Sequence, residues 1–191
     1  TSLPTNGVLK LSGNDVNVTD EILVSDLGEL TFIPDVNWNG NTNFGYNGFD
    51  GTEYAVLDAS VNMTVNAVND APILNDIAKT ADEDNTLSFS VVDFTSVFYD
   101  ADANSMTKIQ ITSLPANGTL LLSGVNVNIN DEILTADLAN LSFVPNANWN
   151  GSTSFVWNGF DRMVYALVNA SATISYISVN DIPTLSDIAK S

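Results

Sequence analysis

The chain has 191 residues, of which 23 are Asp or Glu and 5 are Lys or Arg, giving a formal net charge of −18; it contains no Cys and no His. This excludes a disulfide framework, thiolate and imidazole metal sites, and nucleophile–base pairs built on Cys or His. It also excludes a nucleic-acid partner, because neutralising phosphate takes clusters of Lys and Arg. Two readings of the acidic excess stay open: solubility in a salty exterior, and binding of a hard cation such as Ca²⁺, which takes carboxylate and amide oxygens. Absence of Cys leaves the redox compartment open. Apolar residues make up 45% of the chain, enough for packed cores. No apolar run approaches the roughly 18 residues that span a bilayer. No basic and then apolar leader opens the chain, and the start at Thr1-Ser2-Leu3-Pro4 reads as a cut from something longer.

In chain order, the first elements turn out to be copies of later ones. Thr1-Ser2-Leu3-Pro4 returns as Thr112-Ser113-Leu114-Pro115, Asp20-Glu21-Ile22-Leu23 as Asp131-Glu132-Ile133-Leu134, and Asn37-Trp38-Asn39-Gly40 as Asn148-Trp149-Asn150-Gly151. Asn47-Gly48-Phe49-Asp50 returns as Asn158-Gly159-Phe160-Asp161, and Asp76-Ile77-Ala78-Lys79 as Asp187-Ile188-Ala189-Lys190. Residues 1–80 align with 112–191 without a gap, and about 44 of the pairs are identical. The period suits one domain per repeat. One complete unit is expected over 71–181. Residues 1–70 are an incomplete copy lacking its first two strands, and 182–191 begin a third.

Within the complete unit, period-two alternation predicts strands at Thr86–Val91, Lys108–Thr112, Ser152–Trp157 and Ala170–Ile177. Turns are predicted at Pro115-Ala116-Asn117-Gly118, Asn150-Gly151 and Asn158-Gly159, where Asn and Gly tolerate positive φ. A helical turn fits only Asp131–Leu138. Seven or so short strands in about 100 residues predict an all-β fold of tandem immunoglobulin-like β-sandwich modules.

Several motifs in order carry a family resemblance. They are Asn69-Asp70-Ala71-Pro72 and Asn180-Asp181-Ile182-Pro183, Asp82-Glu83-Asp84, and Phe98-Tyr99-Asp100-Ala101-Asp102-Ala103-Asn104. Leu114-Pro115-Ala116-Asn117-Gly118 and Asn148-Trp149-Asn150-Gly151 complete the set. Together the unit resembles the cadherin-like tandem repeats of large bacterial adhesins and secreted repeat proteins. Two positions depart from the family pattern: Asn104 is preceded by Ala103 where Gly is common, and Arg162 stands where Gly is usual, a Gly that Gly51 keeps in the first copy.

If successive strands alternate direction, the loops carrying Asp100, Asp102, Asn104 and Asp161 fall at the end that holds Asn69 and Asp70. The loop carrying Glu83 and Asp84 falls at the end that holds Asn180 and Asp181. The resemblance implies that these ten residues are calcium ligands that stiffen the joints between modules. The competing readings are Asx-turn chemistry, a solvated charge run and a plain domain stop. Asp20-Glu21 and Asp131-Glu132 read as polar turns, the Trp-Asn-Gly tryptophans as packing, and the Asn-x-Ser/Thr sequons as composition.

The functional expectation is a structural spacer or stalk module of a large extracellular bacterial adhesin or surface fibre, not an enzyme. Its partners would be neighbouring repeats of the same chain or identical chains, with a distal ligand carried elsewhere. The alternative is an adhesive or self-assembling module, working by homophilic contact or strand donation. A more remote alternative is a carboxylate-dependent glycosidase, which two acids on a concave face would revive.

Overall fold

The computed structural model describes residues 1–183 and 185, so most of the expected third repeat at 182–191 lies outside the described residues. The chain divides between Asn69 and Asp70 into two compact units. Both are all-β apart from short helical turns. Among the described residues no helix is long and apolar enough to cross a membrane.

The first unit, Thr1–Asn69, contains strands β1 (Gly7–Leu11), β2 (Asn14–Asp15), β3 (Leu30–Pro34), β4 (Gly40–Tyr46) and β5 (Ala59–Val65). A 3-10 helix at Val24–Glu29 precedes β3. Strands β2, β1 and β3 form one antiparallel sheet, and β4 and β5 form another.

The second unit begins with β6 (Ile73–Leu74), β7 (Ile77–Asp82), β8 (Leu87–Ser88), helix α1 (Val91–Thr95), β9 (Phe98–Tyr99) and β10 (Lys108–Ser113). There follow β11 (Gly118–Leu122), β12 (Val125–Asn126), β13 (Glu132–Leu134), a 3-10 helix at Thr135–Asn140, β14 (Leu141–Pro145), β15 (Gly151–Phe160) and β16 (Ala170–Ile177). Its larger sheet runs β13-β10-β15-β16-β7 and its smaller one β12-β11-β14-β8. Strand β7 joins β16 in parallel, with Ala172 opposite Ile77 and Ile177 opposite Asp82, while the other pairings are antiparallel. The two sheets enclose one core: Ile109, Ile111, Phe155, Trp157 and Ile174 from one side meet Leu87, Leu120, Leu141 and Phe143 from the other. The alternation in β16 explains its place, since Ala170, Ala172, Ile174 and Tyr176 are buried and the residues between them are not.

Two differences from the sequence expectation have local causes. The alternation at Thr86–Val91 stops at Ser88, because Ser90 caps a helix. Its hydroxyl accepts from Asp93 N, and Asp93 Oδ2 accepts from Ser90 N at 2.7 Å and from Lys79 Nζ at 2.6 Å. The helical turn expected at Asp131–Leu138 divides into strand β13, hydrogen-bonded to β10, and the 3-10 helix that follows it. Asn158-Gly159, expected as a turn, lies within β15 and pairs with Gln110 and Ile109 of β10, whereas the turns at Asn6-Gly7 and Asn117-Gly118 serve a close approach as well as a bend. A Cβ on Gly118 would lie 2.3 Å from the Phe143 ring, and one on Gly7 would lie 2.5 Å from the Phe32 ring.

Candidate functional site

In the second unit, four of the expected ligands gather around one loop between β9 and β10. Asp100 Oδ1 accepts from Asp102 N at 2.9 Å and from Asn104 N at 3.0 Å, so this oxygen builds the turn. Ala103, inside the turn, has a φ of 60°. Asp102 Oδ2 accepts from Asp70 N at 2.7 Å and brings the start of the unit to the loop. The other Asp100 oxygen, Oδ2, is buried and receives no hydrogen bond. A carboxylate oxygen shut away from water without a donor carries a large desolvation cost, which a cation or a bound water relieves.

Asp161 begins the hairpin between β15 and β16 and is 2% exposed. Its Oδ1 accepts from Met163 N at 2.6 Å and Val164 N at 2.7 Å. Asp50 repeats this in the first unit, accepting from Thr52 N and Glu53 N. Those bonds, Glu53 before Thr52, hold its carboxyl below the usual Asp value. A hairpin-capping role is therefore common to both copies. Asn69 immediately precedes Asp70 in the chain. Among the described residues no group of three or more acidic side chains is placed to hold a metal on its own. An ion at the Asp100 loop would therefore have to draw on amide, main-chain and water oxygens as well.

The acidic residues at the other end are used differently. Glu83 is buried; its Oε1 accepts from Val179 N at 2.6 Å and its Oε2 from Asn150 Nδ2 at 3.4 Å. Asp84 Oδ1 accepts from Asn148 N at 2.7 Å. These carboxylates tie the turn after β7 to the Asn148-Trp149-Asn150-Gly151 turn and to the chain just before Asn180. Asn180 and Asp181 are exposed, and Asn180 Nδ2 donates to Asp181 O. The sequence assigns the tryptophan of this motif to packing and Asn150-Gly151 to a turn, and gives no sign of the bonds from Asn148 and Asn150 to Asp84 and Glu83.

Each unit also has an open groove made by equivalent residues. One is lined by Leu11, Asn14, Val16, Asp20 and Glu21 among others. The other is lined by Leu122, Val125, Val127, Asp131 and Glu132 among others. Asp131 Oδ2 accepts from Asn128 N at 2.7 Å, as Asp20 does from Asn17 N. Glu132 accepts from Lys108 Nζ at 2.7 Å and from the Tyr165 hydroxyl, and Glu21 accepts from the Tyr54 hydroxyl at 2.8 Å. The Lys108 bond, reinforced by Tyr165, keeps Glu132 below the ordinary Glu value, and the Glu132 bond raises Lys108. Burial, then the Glu132 bond, raises Tyr165.

No family model and no curated protein matches the chain. Solved structures similar to it are endo-fucoidan hydrolases of glycoside hydrolase family 107. MfFcnA4 is 20% identical, with 91% of this chain and 26% of that one covered; for MfFcnA9 the values are 19%, 90% and 28%. A variant of MfFcnA4 is 21% identical over 94% of this chain and 24% of its own. The TM-score is 0.32 for each. The chain thus spans about a quarter of the length of these enzymes. Two expectations are corrected by this finding. The chain was read as the stalk of a surface adhesin and as not an enzyme, whereas the proteins of similar structure are glycoside hydrolases. Neither the adhesin stalk nor the exclusion of catalysis is retained.

Proposed function

We propose that the chain forms tandem immunoglobulin-like, cadherin-like modules of a larger extracellular protein, and that the second module binds calcium at the Asp100–Asn104 loop. The module assignment is supported by the two facing sheets and by the parallel pairing of β7 with β16 at the edge of an otherwise antiparallel sheet. The calcium reading is carried by the buried Asp100 Oδ2, which has no hydrogen-bond donor although it sits in a loop of oxygen ligands. Asp100, Asp102 and Asn104 would hold the ion, with Asp70 bonded to the loop through its main-chain N–H to Asp102 Oδ2. All offer oxygen, the donor that Ca²⁺ prefers, and an irregular loop suits its tolerant geometry. Glu83 and Asp84 are left out, because their carboxylates are committed to Val179, Asn150 and Asn148. Calorimetric titration of the chain with CaCl₂ tests the reading. A dissociation constant of about 10⁻⁴ to 10⁻³ M is expected, as for other extracellular modules. Saturation at 100 times that constant should stabilise the second unit by about 2.7 kcal/mol. Asp100→Asn should abolish both effects; a wild-type chain giving neither heat nor a shift in melting temperature would end the proposal.

A second reading is a carboxylate-dependent glycosidase. The observation in its favour is that paired acids, Asp20 with Glu21 and Asp131 with Glu132, line a concave groove in each unit. The endo-fucoidan hydrolases supply the substrate to try. New reducing ends released from fucoidan by the chain, and not by its Glu132→Gln and Glu21→Gln double variant, would support it; no release by the wild type would remove it.

A further inference from the structure

In the second unit β12 ends the smaller sheet and β13 ends the larger, and among the described residues neither has a strand on its outer side. The groove beside them is lined by Leu122, Val125, Val127 and Ile133, with Asp131 and Glu132 making it acidic. Val127 and Ile133 belong to the core, whereas Val125 is 70% exposed, so the apolar surface runs outward from the core along the groove. The main chain of β13 faces two ways. Asp131 O accepts from Ile111 N, Thr135 N donates to Thr107 O, and Ile133 lies opposite Ile109, so the odd-numbered positions are bonded to β10. By the two-residue period of a strand, the N–H and C=O of Glu132 and the N–H of Leu134 point to the open edge. The two rim carboxylates also differ. Glu132 is matched by Lys108 Nζ and the Tyr165 hydroxyl. Asp131 accepts from the main-chain and side-chain N–H groups of Asn128, and among the described residues it forms no salt bridge with a Lys or Arg.

We propose that this edge docks an extended basic peptide segment of a partner protein, which adds to β13 as a further strand, seats an apolar side chain in the groove and sets lysines or arginines against its acidic rim. Three properties select this occupant. Open N–H and C=O groups along a strand edge recognise the backbone of an extended peptide. The apolar lining takes one side of an alternating segment, because successive side chains of a strand point to opposite faces. The rim attracts cations and turns away acidic segments. A second copy of the chain is the poorer partner, since each copy carries a net charge of −18. The first unit has an equivalent groove lined by Leu11, Val16, Asp20, Glu21 and Ile22 among others, but Glu21–Leu23 form no strand there. The docking edge therefore belongs to the second unit. This inference rests neither on calcium nor on catalysis.

The test titrates the chain of residues 1–191 with a short fluorescent peptide of alternating lysine and valine, read by anisotropy and by amide hydrogen exchange. Saturable binding is expected, with protection of the Glu132 and Leu134 amides. An alternating glutamate and valine peptide should not bind, and an all-lysine peptide of the same length should bind about tenfold more weakly, for want of the apolar side chains. Val125→Asp adds negative charge but removes the apolar wall, and should weaken the lysine–valine peptide about tenfold. Should that variant fail to fold, Asn126→Lys, at an exposed groove residue, should weaken it through charge. No binding by the lysine–valine peptide overturns the proposal. Equal binding of the glutamate or all-lysine peptide overturns it as well, as does unchanged binding by a folded variant. Protection of the two amides that grows with protein concentration alone would make a second copy the occupant, and protection by fucoidan but not by peptide would make it a glycan; either result overturns the proposal.

Discussion

Arg162 and Ala103 are two of the non-glycine residues that stand in left-handed backbone. Arg162 has a φ of 99°, the same as Gly51 in the first copy, and Ala103 has a φ of 60°. A Cβ in this region costs about 1–2 kcal/mol, partly offset because glycine loses more entropy on folding. Surrounding bonds hold both residues in place. The Asp161 carboxylate takes the two N–H groups after Arg162, and the Asp100 carboxylate takes those on either side of Ala103. Arg162→Gly and Ala103→Gly are therefore each expected to stabilise the second unit by about 0.5–1 kcal/mol, seen as a rise of a few degrees in melting temperature. A fall for either would mean that the Arg or Ala side chain makes compensating contacts. Arg162 was legible in the sequence as a departure from its repeat counterpart Gly51, and the shared φ supplies the reason glycine suits that position.

At the scale of elements, what was legible followed from local periodicity. The alternation in Lys108–Thr112, Ser152–Trp157 and Ala170–Ile177 reports which face is buried, and strands β10, β15 and β16 lie there. Helix α1 was hidden because Phe89, Val91, Val92 and Phe94 continue an apolar run that reads as strand. The deciding feature is the capping box of Ser90 and Asp93, which works because Lys79, fourteen residues earlier, reaches the same carboxylate. Burial raises the Asp93 pKa, but the Lys79 bond and the Ser90 donors outweigh it and leave the group below its ordinary value. The loops of the candidate site were legible as Asp-x-Asp-x-Asn and Asp-Glu-Asp. Their partners were not. Glu83 meets Val179 and Asp84 meets Asn148 across most of the unit, and only the closed pair of sheets brings them together. The parallel β7–β16 pairing is of the same kind: nothing within either strand encodes its neighbour.

At the scale of the whole molecule, two copies of one repeat, identical at about 44 of 80 aligned positions, differ in how completely they close a core. A substitution at one repeat position should therefore have different consequences in the two copies. Trp157 is fully buried, edge-on to Phe94 and flanked by Ile111 across β10. Its counterpart Tyr46 lies on β4 and is about half exposed. Trp157→Ala removes a large side chain from a packed interior and should cost the second unit about 3–5 kcal/mol. Tyr46→Ala removes a ring already in contact with water and should cost the first unit less than about 1 kcal/mol. Denaturant unfolding followed by exchange at β15 and at β4 reports each unit by itself. In an engineered fusion carrying a second copy of residues 71–111 ahead of Thr1, the Tyr46→Ala cost should climb toward the Trp157 value, because the same ring position would then lie under an α1-like helix, as Trp157 lies against Phe94. Equal and small costs at both positions would show that the second core is not closed by its first forty residues. A large cost at Tyr46 in the uncovered chain would show that some other contact already shields the ring. The prediction turns on coverage and not on residue type: repeat sequence sets which side chains face inward, and the segment over them sets how much free energy that facing contributes.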